Sequence, residues 1–195
     1  VWCVQDVIDL ARPKGRSILT QFAKVAGSLF LCILITHYLH ELGHALTAVA
    51  LGYEVSMTSN VVRPIAGAYQ SELHSNLISL AGPLVTIFIA TAAFILRLKL
   101  KFLAPIILWN TLTMRLLAAI VSLRNPNDEA AVSANLGLGD WTLPAIVCVF
   151  LLTLFVITAR QRRLSVWWYL SAWVGMSAGY SLVVLGEDWL PKLTL

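Results

Sequence analysis

Two histidines four residues apart, with a glutamate beside the first, are the residues of this chain best placed to do chemistry: His40-Glu41-Leu42-Gly43-His44, the pattern HExxH. On an α-helix, residues four apart differ by about 40° in azimuth and about 6 Å in rise. His40 and His44 therefore point the same way and can share one Zn²⁺. Glu41 lies about 100° round from His40, beside the ion rather than on it. From there it can take a proton from a water activated by the metal and return it to a leaving amine. His37 falls on the same stripe and is expected to line the cavity or hydrogen-bond a ligand rather than bind the ion. The competing reading of the stripe is a buried polar network that ties helices together without metal.

A catalytic zinc site has three protein ligands plus water, so a third ligand is required. Candidates are few. Asp128 and Glu129 follow the third apolar segment in Arg124-Asn125-Pro126-Asn127-Asp128-Glu129, Glu72 and His74 precede the second, and Asp140, Glu187 and Asp188 are peripheral. Asp128 is expected to return to the His40/His44 level if the Asn-Pro stretch dips inward; its other reading is a helix N-cap before Ala130-Ala131-Val132. Asn110, Arg115 and Asn125 are further polar candidates for a hydrogen bond to the zinc ligands or to the reacting carbonyl. For Asn110 and Arg115 an interhelical hydrogen bond or a snorkelling arginine is the alternative.

The elements that must position these residues are apolar helices. Of 195 residues, 58% are hydrophobic and only 12% charged, with a mean hydropathy of +0.79. A water-soluble domain carries about a quarter charged residues, so lipid is the expected solvent. Five segments have spanning length: about Val25–Leu51, Leu77–Leu96, about Phe102–Leu123, Trp141–Ala159 and Val166–Leu185. The expected fold is all-α and polytopic, one membrane domain over 1–195. Ionisable groups inside such segments are costly and functional by default, which sharpens the meaning of His40, Glu41 and His44.

The net charge of +4 does not point to nucleic acid, because the basic residues sit in short clusters between apolar runs. Arg12, Lys14, Arg16, Lys24, Arg97, Lys99, Lys101, Arg160, Arg162 and Arg163 fall on one side, against Arg63, Arg124 and Lys192 on the other. Ten against three places the N-terminus in the cytoplasm and the C-terminus outside a cell (inner) membrane by the positive-inside rule. Residues 1–23 lack the order of a cleavable signal. Cys3, Cys32 and Cys148 are odd in number and without a metal-knuckle spacing, so no disulfide framework is expected. Trp167, Trp168, Tyr169 and Trp173 are expected as an interfacial aromatic belt.

Between the first two segments, Tyr53, Val55 and Met57 alternate with Glu54, Ser56 and Thr58, a period-two pattern that predicts a strand and short hairpin. Tyr53, Val55 and Met57 are the expected substrate-binding strand, its edge pairing with an unwound stretch of substrate. Gly82-Pro83 reads as a kink or a close helix contact.

Taken together, HELGH in a membrane helix, a strand-like loop, Ser79-Leu80-Ala81-Gly82-Pro83-Leu84 in the next helix and the Asn-Pro-x-Asp segment resemble the site-2 protease family of zinc intramembrane metalloproteases. The likeness is to its small branch without PDZ or CBS domains, and covers roughly Leu34 to Gly139. It implies a catalytic three-helix core, here 25–139, with 141–185 as two accessory helices. It further implies zinc held by His40, His44 and Asp128, Glu41 as the base, and a membrane-protein substrate cleaved in or near its transmembrane segment. The family usually has glycine after that aspartate; here Glu129 follows and stays the alternate ligand. The rival functions are a non-catalytic membrane module that keeps the fold and, less favoured, a metal transporter.

Overall fold

The first apolar stretch forms one helix, α1, over Ile18–Ala50. Its 33 residues reach about 50 Å at the α-helical rise, well beyond the roughly 30 Å of a hydrocarbon core, so it also crosses at least one headgroup layer. The computed structural model describes residues 18–195. Cys3, Arg12, Lys14 and Arg16, and with them most of the stretch expected to lack a signal, lie outside the described residues.

Five further helices follow: α2 (Glu72–Ile95), α3 (Leu103–Val121), α4 (Asp128–Asn135), α5 (Thr142–Arg162) and α6 (Val166–Leu185). Helix α1, α2 with the 3-10 turn that extends it, α3, α5 and α6 are each long and apolar enough to cross a membrane. The protein is therefore an all-α, multi-pass membrane protein with a small sheet. Helix α2 starts earlier than hydropathy suggests, at Glu72, because polar residues occupy its first turn, and α1 is already helical at Ile18, the first described residue. The start of α2 is set by Ser71, whose Oγ accepts from the His74 N–H at 3.2 Å.

Helix α1 lies between α2 and α6, while α3 packs on α5. Small residues allow the close approaches. A Cβ at Gly175 of α6 would stand 2.8 Å from Ala26 Cα, and one at Gly179 would stand 2.8 Å from Ile33 Cδ1. The pair forms a Gly-x-x-x-Gly stripe, a common device for bringing membrane helices together. At Gly43 of α1, a Cβ would lie 3.0 Å from Ala81 O of α2. Outward faces are apolar, with Leu31, Phe88, Ile95 and Val149 all exposed, as a lipid solvent allows. The four residues expected as an aromatic belt do not share one environment. Trp167 and Trp173 are exposed, but Trp168 and Tyr169 turn inward to pack with Trp109 and Phe155.

The alternating stretch after α1 forms the expected hairpin: β1 (Val55–Met57) pairs antiparallel with β2 (Val62–Pro64), with Ser56 opposite Arg63. A third strand, β3 (Leu193–Thr194), pairs with the other side of β1, giving the order β2-β1-β3. The sheet sits on the C-terminal end of α1, where Val55 and Met57 pack against Ala45, Ala48 and Ile78.

Candidate metal centre

The late turns of α1 bring His37, His40, Glu41 and His44 onto one buried face, as the four-residue spacing requires. The nitrogen that each metal-binding candidate presents is dictated by its neighbours. His44 Nδ1 lies 2.6 Å from the carbonyl oxygen of Ile78, which can only accept, so Nδ1 carries the proton. His40 Nδ1 lies 3.0 Å from Thr86 Oγ1, and the Thr86 hydroxyl itself donates to Gly82 O at 3.3 Å. Thr86 therefore accepts from His40. With both Nδ1 atoms donating, each neutral ring turns the lone pair of Nε2 inward.

Those two Nε2 atoms are 3.1 Å apart, and Asp128 Oδ2 lies 3.2 Å from His40 Nε2 and 3.7 Å from His44 Nε2. Three electron-pair donors at these separations repel one another unless a proton or a cation stands between them. His40, His44 and Asp128 could hold a metal ion.

Helix α2 makes this convergence possible. Its ladder is one bond short where Pro83 has no N–H to offer Ser79, next to the Ile78 carbonyl that His44 uses. At Gly82 a Cβ would stand 2.6 Å from Cε1 of both His40 and His44. Gly82 therefore serves close packing, and what it packs against is the pair of imidazoles.

Asp128 arrives from the far end of α3. Ser122 Oγ donates to Ala118 O at 2.9 Å and accepts from the Asn127 N–H at 3.0 Å, which turns the Asn125-Pro126-Asn127 loop back toward α1. The N-cap of α4 is Asn127, so Asp128 is the first helical residue and its carboxylate is free to face the histidines. Glu129, the alternate ligand, turns elsewhere: both its oxygens accept from Arg115 Nη1, at 3.1 and 3.2 Å.

The histidines open onto a cavity of about 560 Å³, lined by His37, Glu41, Asn125, Asp128 and Arg115 together with apolar side chains such as Met114, Leu117 and Val62. His37 donates through Nδ1 to Ile33 O at 3.0 Å and meets Tyr180 edge to face. Asn110 is not part of this wall. It is fully buried, with Nδ2 toward Cys32 and Oδ1 accepting from Tyr180 at 3.3 Å, an interhelical hydrogen bond rather than a group beside the ion. Glu72, Asp140 and Asp188 are exposed, Asp188 pairing with Lys192, and His74 is bound to the Tyr53 hydroxyl at 2.8 Å.

The expected use of Tyr53, Val55 and Met57 needs correction. The Val55 and Met57 side chains are buried beneath the sheet. The outward backbone groups of Val55 are both taken, since its N–H donates to Leu195 O at 2.9 Å and its carbonyl accepts from Leu195 N at 3.0 Å. Strand β1 is the middle strand and has no edge to offer. The open edge nearest the cavity belongs to β2. Thr58 N–H to Val61 O and Ile65 N–H to Glu54 O point residues 61 and 65 toward β1. The antiparallel alternation then turns the N–H and carbonyl of Val62 and the carbonyl of Pro64 away from it.

Sequence reasoning passed over Thr86, Ile78 and Tyr180. Thr86 gives no periodic signal in an apolar helix, and a carbonyl gives none at all. Tyr180 and Val184 bring α6 into the cavity wall, and the Gly175-x-x-x-Gly179 stripe was the available sign that α6 packs tightly on α1. Comparison of the chain with family models, curated proteins and solved structures finds no match.

Proposed function

We propose that this protein is a zinc-dependent intramembrane endopeptidase, with His40, His44 and Asp128 holding the ion and Glu41 acting as general base and acid. The observation that carries the reading is the triangle of 3.1, 3.2 and 3.7 Å between His40 Nε2, His44 Nε2 and Asp128 Oδ2. Tetrahedral zinc with ligands at 2.0–2.2 Å separates neighbouring ligand atoms by about 3.3–3.5 Å, which these sides bracket. Charge supports the same cation. With neutral imidazoles, the Asp128 and Glu129 carboxylates already outnumber the Arg115 guanidinium before Glu41 is counted, so the site favours a cation. The resemblance of HELGH, the Ala-Gly-Pro turn and the Asn-Pro-x-Asp segment to the site-2 protease family agrees with it.

Zinc in this position supplies a Lewis acid that lowers the pKa of water and polarises a carbonyl. The chain's own residues do the rest. Glu41, buried on the cavity wall, accepts the proton of the attacking water and hands it to the leaving amine. Asn125, exposed on the cavity wall beside Asn60 and Asn127, offers a side-chain amide to the developing oxyanion. The apolar wall around Met114, Leu117 and Val62 fits an apolar peptide. A transmembrane helix hides its backbone in hydrogen bonds, so the substrate must be unwound where it is cut; its extended stretch aligns along the outer edge of β2, at Val62.

The basic loops around Arg97–Lys101 and Arg160–Arg163 share one end of the bundle, linked where Arg97 Nε donates to Gln161 at 3.2 Å. By the positive-inside rule that end is cytoplasmic, and the cavity opens toward the opposite face of a cell (inner) membrane. Purified protein incubated with single-span membrane peptides, with products read by mass spectrometry, tests the activity. Cleavage that disappears with a zinc chelator and with Glu41→Gln supports it. Cleavage that persists in Glu41→Gln contradicts it.

A further inference from the structure

Among the described residues, Arg115 is the one arginine or lysine in the cavity wall, and the chemistry above gives it no task. It projects from a spanning helix, 4% exposed, where a lone charge is expensive. Its Nη1 donates to both oxygens of Glu129 and reaches Asp128 Oδ2 at 3.4 Å. That Asp128 oxygen is the same one that faces both histidines.

Asp128 needs such a restraint. It opens α4, a helix of eight residues, after an Asn-Pro-Asn loop, and its N-cap Asn127 makes no side-chain capping bond. Two turns of helix are marginal by themselves. The Asn127 N–H bond to Ser122 Oγ and the packing of α4 on α2 place the backbone, but neither touches the carboxylate itself. Arg115 fixes it, because α3 is packed on α1 and α2 and its guanidinium stays charged in any environment. A carboxylate oxygen has two lone-pair directions, so Oδ2 can meet Nη1 with one and the ion with the other.

We propose that Arg115, anchored by Glu129, is a positioning residue that fixes the Asp128 oxygen over the two imidazoles, and that Glu129 acts through Arg115 rather than on the ion. This role rests on the metal site of the proposed function, not on the identity of the substrate. All three contacts run through one nitrogen, so a lysine ammonium brought to that point would serve in part.

The test is zinc affinity in detergent, by competition with a chromophoric chelator, together with the visible absorption of the Co²⁺-substituted protein. Removal of a group that orients a metal ligand costs about ten- to a hundredfold in affinity. Arg115→Gln is expected to show that loss with an altered cobalt spectrum, and Arg115→Lys a smaller one. The decisive variant is the double change Arg115→Met with Glu129→Met. It strands no buried charge, so a pair that only staples helices would be replaced without harm. The double variant is expected to bind zinc as weakly as Arg115→Gln. Wild-type affinity and spectrum in the double variant would overturn the role while leaving the metal site intact. Loss of zinc in Glu129→Gln as complete as in Asp128→Ala, with Arg115→Gln unaffected, would overturn it by making Glu129 a direct ligand. A wild-type protein that takes up neither metal would remove this role and the metalloprotease reading together.

Discussion

Gly82 on α2 and His44 on α1 are in such close contact that a Cβ at position 82 would stand 2.6 Å from the Cε1 atom of His44, and equally close to that of His40. The neighbours in the other direction are ring atoms of the two metal-binding candidates rather than the ends of flexible chains. Gly82→Ala must therefore rotate at least one imidazole or push α2 away from α1. The expected result is a zinc affinity lowered at least about tenfold, in the range seen when ligand orientation is disturbed, with helix content by circular dichroism unchanged. Equal zinc affinity in the two proteins would mean that the contact does not position the rings.

Thr86 fixes the tautomer of His40 by accepting from Nδ1 at 3.0 Å. Thr86→Val keeps the shape but removes the acceptor, leaving a buried N–H unpaired and the other tautomer free to form. Zinc affinity is expected to fall by about ten- to a hundredfold, and Thr86→Ser to recover most of it. Isothermal titration of the two variants against wild type measures this directly.

Glu41 lines the cavity beside the site without belonging to the triangle of ligand atoms. Glu41→Gln should therefore bind zinc as wild type does while turnover drops by about 10²–10⁴, the usual worth of a positioned proton-transfer group. Retained metal with lost cleavage separates this role from ligation. Lost metal would make Glu41 a ligand.

Much of this site is legible in the sequence, because a helix of known pitch converts the spacing of His40, Glu41 and His44 into geometry without further information. The spans are legible for a similar reason: lipid tolerates few charges. What escapes is what depends on pairing across the chain. Asn110 and Asn125 look alike as isolated polar residues, yet the first is tied to Cys32 and Tyr180 and the second lines the cavity. Helix α6 reads as an accessory when polarity alone is weighed, whereas its glycines bring Tyr180 to the site. Strand β1 is legible as a strand, but its loss of a free edge is not, because β3 spans only two residues and pairs from 136 positions away, Met57 with Leu193.

That occupied edge shifts the expected substrate contact to β2. Val62→Pro removes an N–H that faces away from β1 and leaves the β1–β2 hydrogen bonds in place. Its expected effect is a raised KM, by about three- to tenfold for one lost backbone hydrogen bond of about 1 kcal/mol, with zinc content unchanged. Unaltered kinetics would place the substrate elsewhere on the cavity wall.

The most direct measurement is metal content of the purified protein by mass spectrometry, wild type beside His44→Ala and Asp128→Ala. One zinc per wild-type chain, lost from both variants, is the predicted result. Wild-type protein that carries no metal after exposure to zinc, or variants that keep a full equivalent, would contradict the assignment of His40, His44 and Asp128 as one metal centre.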